Sequence, residues 1–406
     1  MSAKQILVLG GGFAGLWSAI GAARKLDELG YGPEAAEVTL VNRDGYHSIR
    51  VRNYEADLSA VRVPLHDVLG PAGIRRLEGE VAAIDLIEQT VRVNIANGQR
   101  ILHYDRLVFT LGSELARPAI PGLAANSFDV DTYAAALRLD AHLAELGKQA
   151  TSDGRSTAVV VGAGFTGIEV ATELPGKLDR AGVTGDRRII LIDPNPVVGA
   201  TIGEPARPVI TEALSALGVE LRLDVKVDAV DANGITLSSG EFIPTRTVVW
   251  CAGMRASPLA ATLPVERDSL GRLRVDSYMR AAGLTNVFAA GDVACGVLDG
   301  VHSTVMSCQF ARPMGRFAGH NVMADLFGEP MLPLDIDWYV TVLDLGAWGA
   351  LYTVGWDRKL RSTGAAAKAT KQTINHKRIY PPRTGRADLL AAAAPTIQAP
   401  PDVRSR

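Results

Sequence analysis

One local pattern occurs twice in this chain, and it constrains the fold more than any other feature. The first copy is Gln5-Ile-Leu-Val-Leu-Gly10-Gly-Gly12-Phe13-Ala14-Gly15, followed by Leu-Trp-Ser-Ala-Ile-Gly-Ala-Ala. The second is Ala158-Val-Val-Val-Gly162-Ala-Gly164-Phe-Thr-Gly167, followed by Ile-Glu-Val-Ala-Thr-Glu-Leu. In each, an apolar run of strand length enters GxGxxG and leaves as a helix. The first glycine allows the tight turn. The second lets the backbone approach a pyrophosphate, and the third lets the helix pack on the strand. A diphosphate then sits on free N–H groups at the positive helix end. One copy alone is a weak signal, because glycine-rich turns also arise for steric reasons. Two copies about 150 residues apart in the same context predict two dinucleotides.

The expected fold is therefore α/β, with two Rossmann-like dinucleotide-binding domains, the second inserted in the first. A nicotinamide paired with a flavin is the natural combination, since a flavin accepts a hydride and releases electrons singly or in pairs. After the second copy, Arg188-Ile-Ile-Leu-Ile ends at Asp193. A carboxylate there can take both ribose hydroxyls of NAD and repel the extra phosphate of NADP. After the first copy, Val38-Thr-Leu-Val ends at Asn42-Arg43. Asparagine can still accept a ribose hydroxyl bond, and Asp44 is close by.

A chain of 406 residues is too long for one ordinary core, and a net charge of −2 argues against nucleic acid as a partner. Three scattered cysteines, Cys251, Cys295 and Cys308, give neither a disulfide framework nor a CxxC redox pair. The bland reading, small buried apolar residues, outweighs a sulfur-carrying role for Cys251 and Cys308. His47, His302 and His320 lack ligand spacing, so no metal is expected. The N-terminus does not read as a signal peptide, and no uncharged apolar stretch reaches 18 residues. Val340 to Trp356 comes nearest, but it carries Asp344 and Gly346 splits it, so it reads as a hairpin.

Further segments carry a resemblance. Tyr104-Asp-Arg-Leu-Val-Phe-Thr-Leu-Gly112, Thr247-Val-Val-Trp-Cys-Ala-Gly253 and Thr285-Asn-Val-Phe-Ala-Ala-Gly291-Asp292 resemble the linker segments and terminal Gly-Asp motif of flavoproteins with two dinucleotide-binding domains. Among these the chain is most similar to the type II NADH dehydrogenases, through Phe165-Thr-Gly-Ile-Glu169, Trp250-Cys-Ala-Gly253 and Cys308-Gln309-Phe-Ala-Arg-Pro-Met-Gly315. The resemblance implies FAD and NAD(H) as cofactors and a quinone as acceptor. It implies an FAD domain at 1–120 and 250–330, an NAD(H) domain at 121–249 and a C-terminal region at 331–406. It places Phe13, Ala14, Arg43, Val81, Gly112, Gly253 and Gly291 at the cofactors, Asp292 on the FAD ribityl chain, Glu169 near the nicotinamide and flavin, and Gln309 at the quinone.

The departures from the family pattern are specific. Pro313 replaces the second of two glutamines four residues apart, and proline lacks the N–H a continuing helix uses. Asn42 stands where the family has an acid. Tyr46-His-Ser-Ile-Arg50-Val-Arg52-Asn-Tyr54-Glu55 is more charged than the family's apolar segment, and could shape a pocket for an acceptor other than a long-tailed quinone. Gly355 to Tyr380 carries seven Lys or Arg against one Asp, so peripheral contact with the inner face of the cell membrane is weighed against a solvated basic face or a homodimer contact. The location is otherwise read as cytoplasmic. The last dozen residues, rich in Ala and Pro, read as disordered. The alternatives kept open are a reductase of a soluble protein or small-molecule acceptor, and a slow, FAD-holding redox sensor.

Overall fold

The computed structural model describes residues 2–183, 186–397, 399 and 400. Two parallel sheets organise it. The first has strand order Val287–Ala289, Arg106–Phe109, Lys4–Leu9, Ala36–Asn42, Arg75–Glu78. The second runs Val219–Leu223, Arg188–Asp193, Thr157–Val161, Thr247–Trp250. Both faces of a parallel sheet are covered, which is why Ile6, Val8, Leu9, Val159 and Val160 form unbroken apolar runs and are fully buried.

Each glycine pattern is the turn that follows an interior strand. Lys4–Leu9 has a parallel neighbour on each side, and so does Thr157–Val161. Both loops therefore lie at the carboxyl ends of their sheets, where open α/β sheets bind ligands. The chain passes from the first sheet to the second and back through two short strands, Ser113–Leu115 and Met254–Ala256. These pair antiparallel, with Arg255 bonded to Glu114 at 2.7 Å.

The helix leaving the first loop, Phe13–Glu28, packs along the helix Cys308–Phe327. The seam depends on glycine. A Cβ on Gly315 would stand 2.4 Å from the Ala14 carbonyl oxygen, and one on Gly319 would stand 2.2 Å from that of Ser18. The helix leaving the second loop, Phe165–Arg180, packs instead on a C-terminal antiparallel sheet of Val340–Asp344, Ala350–Val354 and Lys359–Thr363. The hairpin expected between Val340 and Trp356 is its first two strands, with Gly346 in the turn at φ +59°.

One expectation changes. The helix Cys308–Phe327 runs through Pro313 without a break. Pro313 stands in the second turn, where it removes the bond its N–H would have given to the Gln309 carbonyl, and the helix carries on past it. Ahead of the last dozen residues Arg386–Ala392 is helical, and within them Ile397 packs against the main core. Residues 398 and 401–406 of that stretch lie outside the described residues. No helix among the described residues is long and apolar enough to cross a membrane.

Candidate active site

The two loops superimpose in their physical demands. Gly10 and Gly162 take φ +101° and +107°, a region closed to most side chains. A Cβ on Gly15 would fall 1.7 Å from the Gly10 carbonyl oxygen, and one on Gly167 would fall 1.7 Å from that of Gly162. By contrast, a Cβ on Gly12 or Gly164 would meet nothing within 4 Å. Protein packing does not demand glycine at these two positions, so the cleared space fits an approaching ligand. Each is also the N-cap of its helix, with no side-chain cap and no acid in the first turn, which leaves the N–H groups for a diphosphate.

The strand-end residues Asn42 and Asp193 first serve their own loops. Asn42 Oδ1 accepts the Gly11 N–H at 2.8 Å, and its amide donates to Asp44 and the Tyr46 carbonyl. Asp193 Oδ2 accepts the Ala163 N–H at 2.6 Å, and Oδ1 accepts from the backbone and side chain of Asn195. Arg43 is exposed beside Asn42. Val81 is buried just past Gly79, whose N–H donates to the Asn42 carbonyl at 2.8 Å. Phe13 stacks edge-on to His47, and His47 Nδ1 bonds the Gly11 carbonyl at 2.8 Å. Burial pushes the His47 imidazole down to about 4, so it is neutral and Nδ1 donates.

Gly291 brings the terminal Gly-Asp motif against Ala14: its Cβ would stand 2.7 Å from that of Ala14. Asp292, one residue on, accepts from the Ser113 hydroxyl at 2.7 Å, next to Gly112. Arg50 donates to Ser113 and pairs with Asp131, and it lies 3.9 Å from Asp292. Burial raises the Asp292 carboxyl, while Ser113 and Arg50 oppose that shift. Gly253 sits where the chain returns from the second sheet, against Ala116.

Glu169 joins a buried ionic cluster. It is 7% exposed, and Oε1 accepts from Lys371 Nζ at 2.7 Å and the Asp344 N–H at 3.1 Å. Asp344 in turn takes Lys368 Nζ at 2.5 Å and the Tyr54 hydroxyl at 3.2 Å. Burial raises the Glu169 carboxyl although Lys371 pulls the other way. Burial also disfavours the Lys371 ammonium, but the Glu169 carboxylate outweighs it and holds Lys371 above the ordinary lysine value. Glu173, one turn on, is 3.8 Å from Lys368.

This cluster takes part of the basic segment inside the molecule, while Lys359, Arg361 and Lys377 stay exposed. Lys371 and Lys368 are spent on Glu169 and Asp344, and Arg358 stacks on Tyr339 at 4.2 Å. The charged stretch Tyr46–Glu55 does not line the cavity beside Gln309. It supports the first loop through His47, reaches Asp292 through Arg50, and meets the C-terminal segment through Tyr54 and Arg52, whose guanidinium bonds Glu55 and Tyr380. Lys371, Asp344, Arg50 and Ser113 were not singled out from sequence as site residues. Each acts through a partner far along the chain: the charge excess after Gly355 hinted at Lys371 and the charged 46–55 stretch at Arg50, and neither hinted at Asp344 or Ser113.

Gln309 opens onto a cavity of about 90 Å³ lined by Cys308, Pro313, Trp338, Val340, Ile374 and Ile379, among others. Its amide Nε2 is buried without a hydrogen-bond partner among the described residues. The three cysteines are unbridged, and burial raises the Cys251 and Cys308 thiols, which opposes thiolate chemistry. No group of three or more His, Cys, Asp or Glu among the described residues could hold a metal ion. A larger cavity of about 590 Å³ lies at the opposite end of the second sheet, around Arg138, His142 and Arg246, away from both loops.

Residues 4–315 match the family model described as pyridine nucleotide-disulphide oxidoreductase. The chain belongs to this family. It is 56% identical over 401 residues to an NADH dehydrogenase-like protein of Mycobacterium tuberculosis, covering 98% of this chain and 100% of that one. It is 25% identical over 396 residues to a type II NADH:quinone oxidoreductase of Staphylococcus saprophyticus, covering 93% and 95%. The solved structure of NDH2 from Plasmodium falciparum shares the fold at a TM-score of 0.78 and 14% identity, covering 96% of this chain and 97% of that one. As a member of the family the chain is an NAD(P)H oxidoreductase of the two-domain Rossmann type, with FAD and NAD(H) as cofactors. The disulphide in the family's name has no counterpart here, since the chain has no CxxC pair.

Proposed function

We propose that this enzyme oxidises NADH and reduces a quinone, with NADH at the Gly162–Gly167 loop and the quinone against Gln309. The observation that carries the acceptor assignment is the Gln309 amide: a buried donor without a partner, at the wall of a mostly apolar cavity. An unpaired buried donor costs about 1–3 kcal/mol, so it marks a place where a ligand supplies the acceptor atom. A quinone carbonyl is such an atom, and negative charge builds on it during reduction. The name of the staphylococcal relative agrees with this reading.

FAD, when bound, supplies hydride acceptance from NADH and onward delivery of electrons. The chain's own groups position and shield. Gly12 and Gly164 leave room for the two diphosphates, and His47 and Asn42 fix the first loop. Asp193 faces the NADH ribose in this reading, and Asp292 with Ser113 and Arg50 holds the ribityl chain. Glu169 and Lys371 tie the NADH-side helix to the C-terminal segment. A peripheral membrane contact would rest on the exposed Lys359, Arg361 and Lys377, since Lys368 and Lys371 are engaged inside the molecule.

The test is Gln309→Leu, which removes the donor and roughly keeps the volume. Losing that bond should lower kcat/KM for a short-chain quinone roughly 5- to 150-fold, the equivalent of about 1–3 kcal/mol. Flavin reduction by NADH, followed in the stopped flow without acceptor, should change less than a few-fold. Equal slowing of both half-reactions removes Gln309 from the acceptor site. A wild-type enzyme that reduces no quinone, but does reduce a soluble electron-transfer protein, replaces the proposal with the soluble-acceptor alternative.

A further inference from the structure

The wall of the cavity beside Gln309 is more cationic than a neutral quinone requires. Gln309, Arg312 and Arg316 lie on one face of their helix. Arg378, from the C-terminal segment, lines the same cavity. Arg316 is only 6% exposed, and Nε of both Arg312 and Arg316 is buried without a hydrogen-bond partner. Arg378 donates to the Ala399 carbonyl at 2.7 Å. None of the three forms an ion pair among the described residues. Trp17 takes two of them over its ring, with the Arg312 and Arg316 guanidinium carbons 5.4 and 4.6 Å from its centroid. Burial, with repulsion from Arg312, pulls Arg316 down to about 10, and burial lowers Arg312 and Arg378 as well.

Buried charges are normally paired, because each costs several kcal/mol to desolvate. A ring such as Trp17 meets the face of a guanidinium but offers no acceptor to its N–H groups. Arg316 is buried and Arg312 and Arg378 are half-buried, and three cations around one cavity with no carboxylate partner among the described residues point to a counter-charge carried by the occupant.

We propose that the acceptor is a quinone bearing an acid group. Its carbonyl meets Gln309, and its carboxylate or sulfonate lies among Arg312, Arg316 and Arg378. This rests on the quinone reading of the same site. NADH yields a hydride, which is two electrons and a proton. The quinone takes these and one proton from water to become the hydroquinone, while the acid group stays ionised and unchanged.

The experiment uses the FAD-loaded full chain and compares kcat/KM for 1,4-naphthoquinone-2-sulfonate and for menadione, which is neutral. The wild type should favour the sulfonate, and its advantage should shrink as salt rises. Arg378→Gln and Arg316→Gln should each lower the sulfonate-to-menadione ratio at least about tenfold, the scale of one charge-assisted hydrogen bond. Arg378→Lys should recover part of it, since a point charge remains. Reading the ratio across variants cancels the difference in reduction potential between the two probes. Arg378 is partly exposed and carries the test if Arg316→Gln does not fold. If both quinones are reduced but the variants leave the ratio alone, the inference fails and the quinone reading stands. If neither quinone is reduced, the quinone reading falls and takes the inference with it. If the arginine variants lose FAD, the guanidiniums serve its diphosphate and the inference is overturned.

Discussion

The two glycine loops share a backbone but have different surroundings. Counting two residues past the third glycine gives Trp17 after the first loop and Glu169 after the second. Both face cations delivered from the C-terminal part of the chain. Trp17 lies under Arg312 and Arg316, and Glu169 pairs with Lys371. The carboxylate neutralises its cation, whereas the indole leaves two cations without a carboxylate among the described residues. One motif thus supplies a fixed ligand cradle, and the slot two residues beyond it decides whether the later chain is locked or left charged. The seams differ in the same way: glycine contact at the first helix, ion pairing at the second.

The largest effect should come from filling the open positions. Gly12→Val and Gly164→Val meet no protein atom where the new Cβ would go, so both variants should fold. Gly12→Val should purify colourless, without FAD. Gly164→Val should stay yellow and lose NADH, with KM raised more than about tenfold, or at least 1.4 kcal/mol. A yellow Gly12→Val would remove the first loop from the FAD site, and the pair of spectra decides which loop serves which cofactor.

Breaking the Glu169–Lys371 pair tests the difference in seams. Glu169→Gln leaves the buried Lys371 ammonium with the Val342 carbonyl, the Tyr54 ring and the more distant Asp344 carboxylate, so stability should fall by up to about 3 kcal/mol in urea titration. Adding Lys371→Met should recover most of the loss. A double variant no better than the single one would show that the two side chains do not act as a pair.

A smaller effect separates the loops by pH. His47 supports only the first loop, and its pKa drops from 6.5 to about 4 on folding. The unfolded chain therefore binds the extra proton first as the solution acidifies. The His47 contribution is complete above pH 6.5 and is lost as pH falls toward 4, reaching up to about 3 kcal/mol. FAD retention should weaken over that window, and His47→Phe should flatten it. An unchanged profile in the variant would assign the acid sensitivity elsewhere.

The smallest concerns Asp193. The wild type should prefer NADH over NADPH in kcat/KM, and Asp193→Ala should narrow the gap by about tenfold, near 1.4 kcal/mol. Equal use of both cofactors by the wild type would mean that Asp193 serves only its loop, through the Ala163 N–H.

Both loops were legible in the sequence because a contiguous spacing encodes them: Gly10 and Gly162 need positive φ, and Gly15 and Gly167 need the absence of a Cβ. The hairpin at Val340–Val354 was legible for the same local reason. The partners of Glu169 were not. Lys371 is 202 residues away in sequence, and an ion pair leaves no spacing signature in either segment. Composition was silent here too, since a basic run does not show which of its cations a buried carboxylate takes and which stay exposed. Asn42 was legible as a departure, but its bond to the Gly11 N–H required the folded turn.

The paired strands Ser113–Leu115 and Met254–Ala256 have a further consequence. The Ala116 N–H donates to the Gly253 carbonyl at 3.1 Å, so the chain leaves the first sheet and returns to it at one spot. The 136 residues between them are attached like an appliance on a two-pin plug. A short linker could join Ala116 directly to Gly253 without stretching the rest, because the gap is already one hydrogen bond wide. The chain's central third thus leaves and rejoins through one socket, while Glu169, held by Lys371, fastens it a second time to the C-terminal segment.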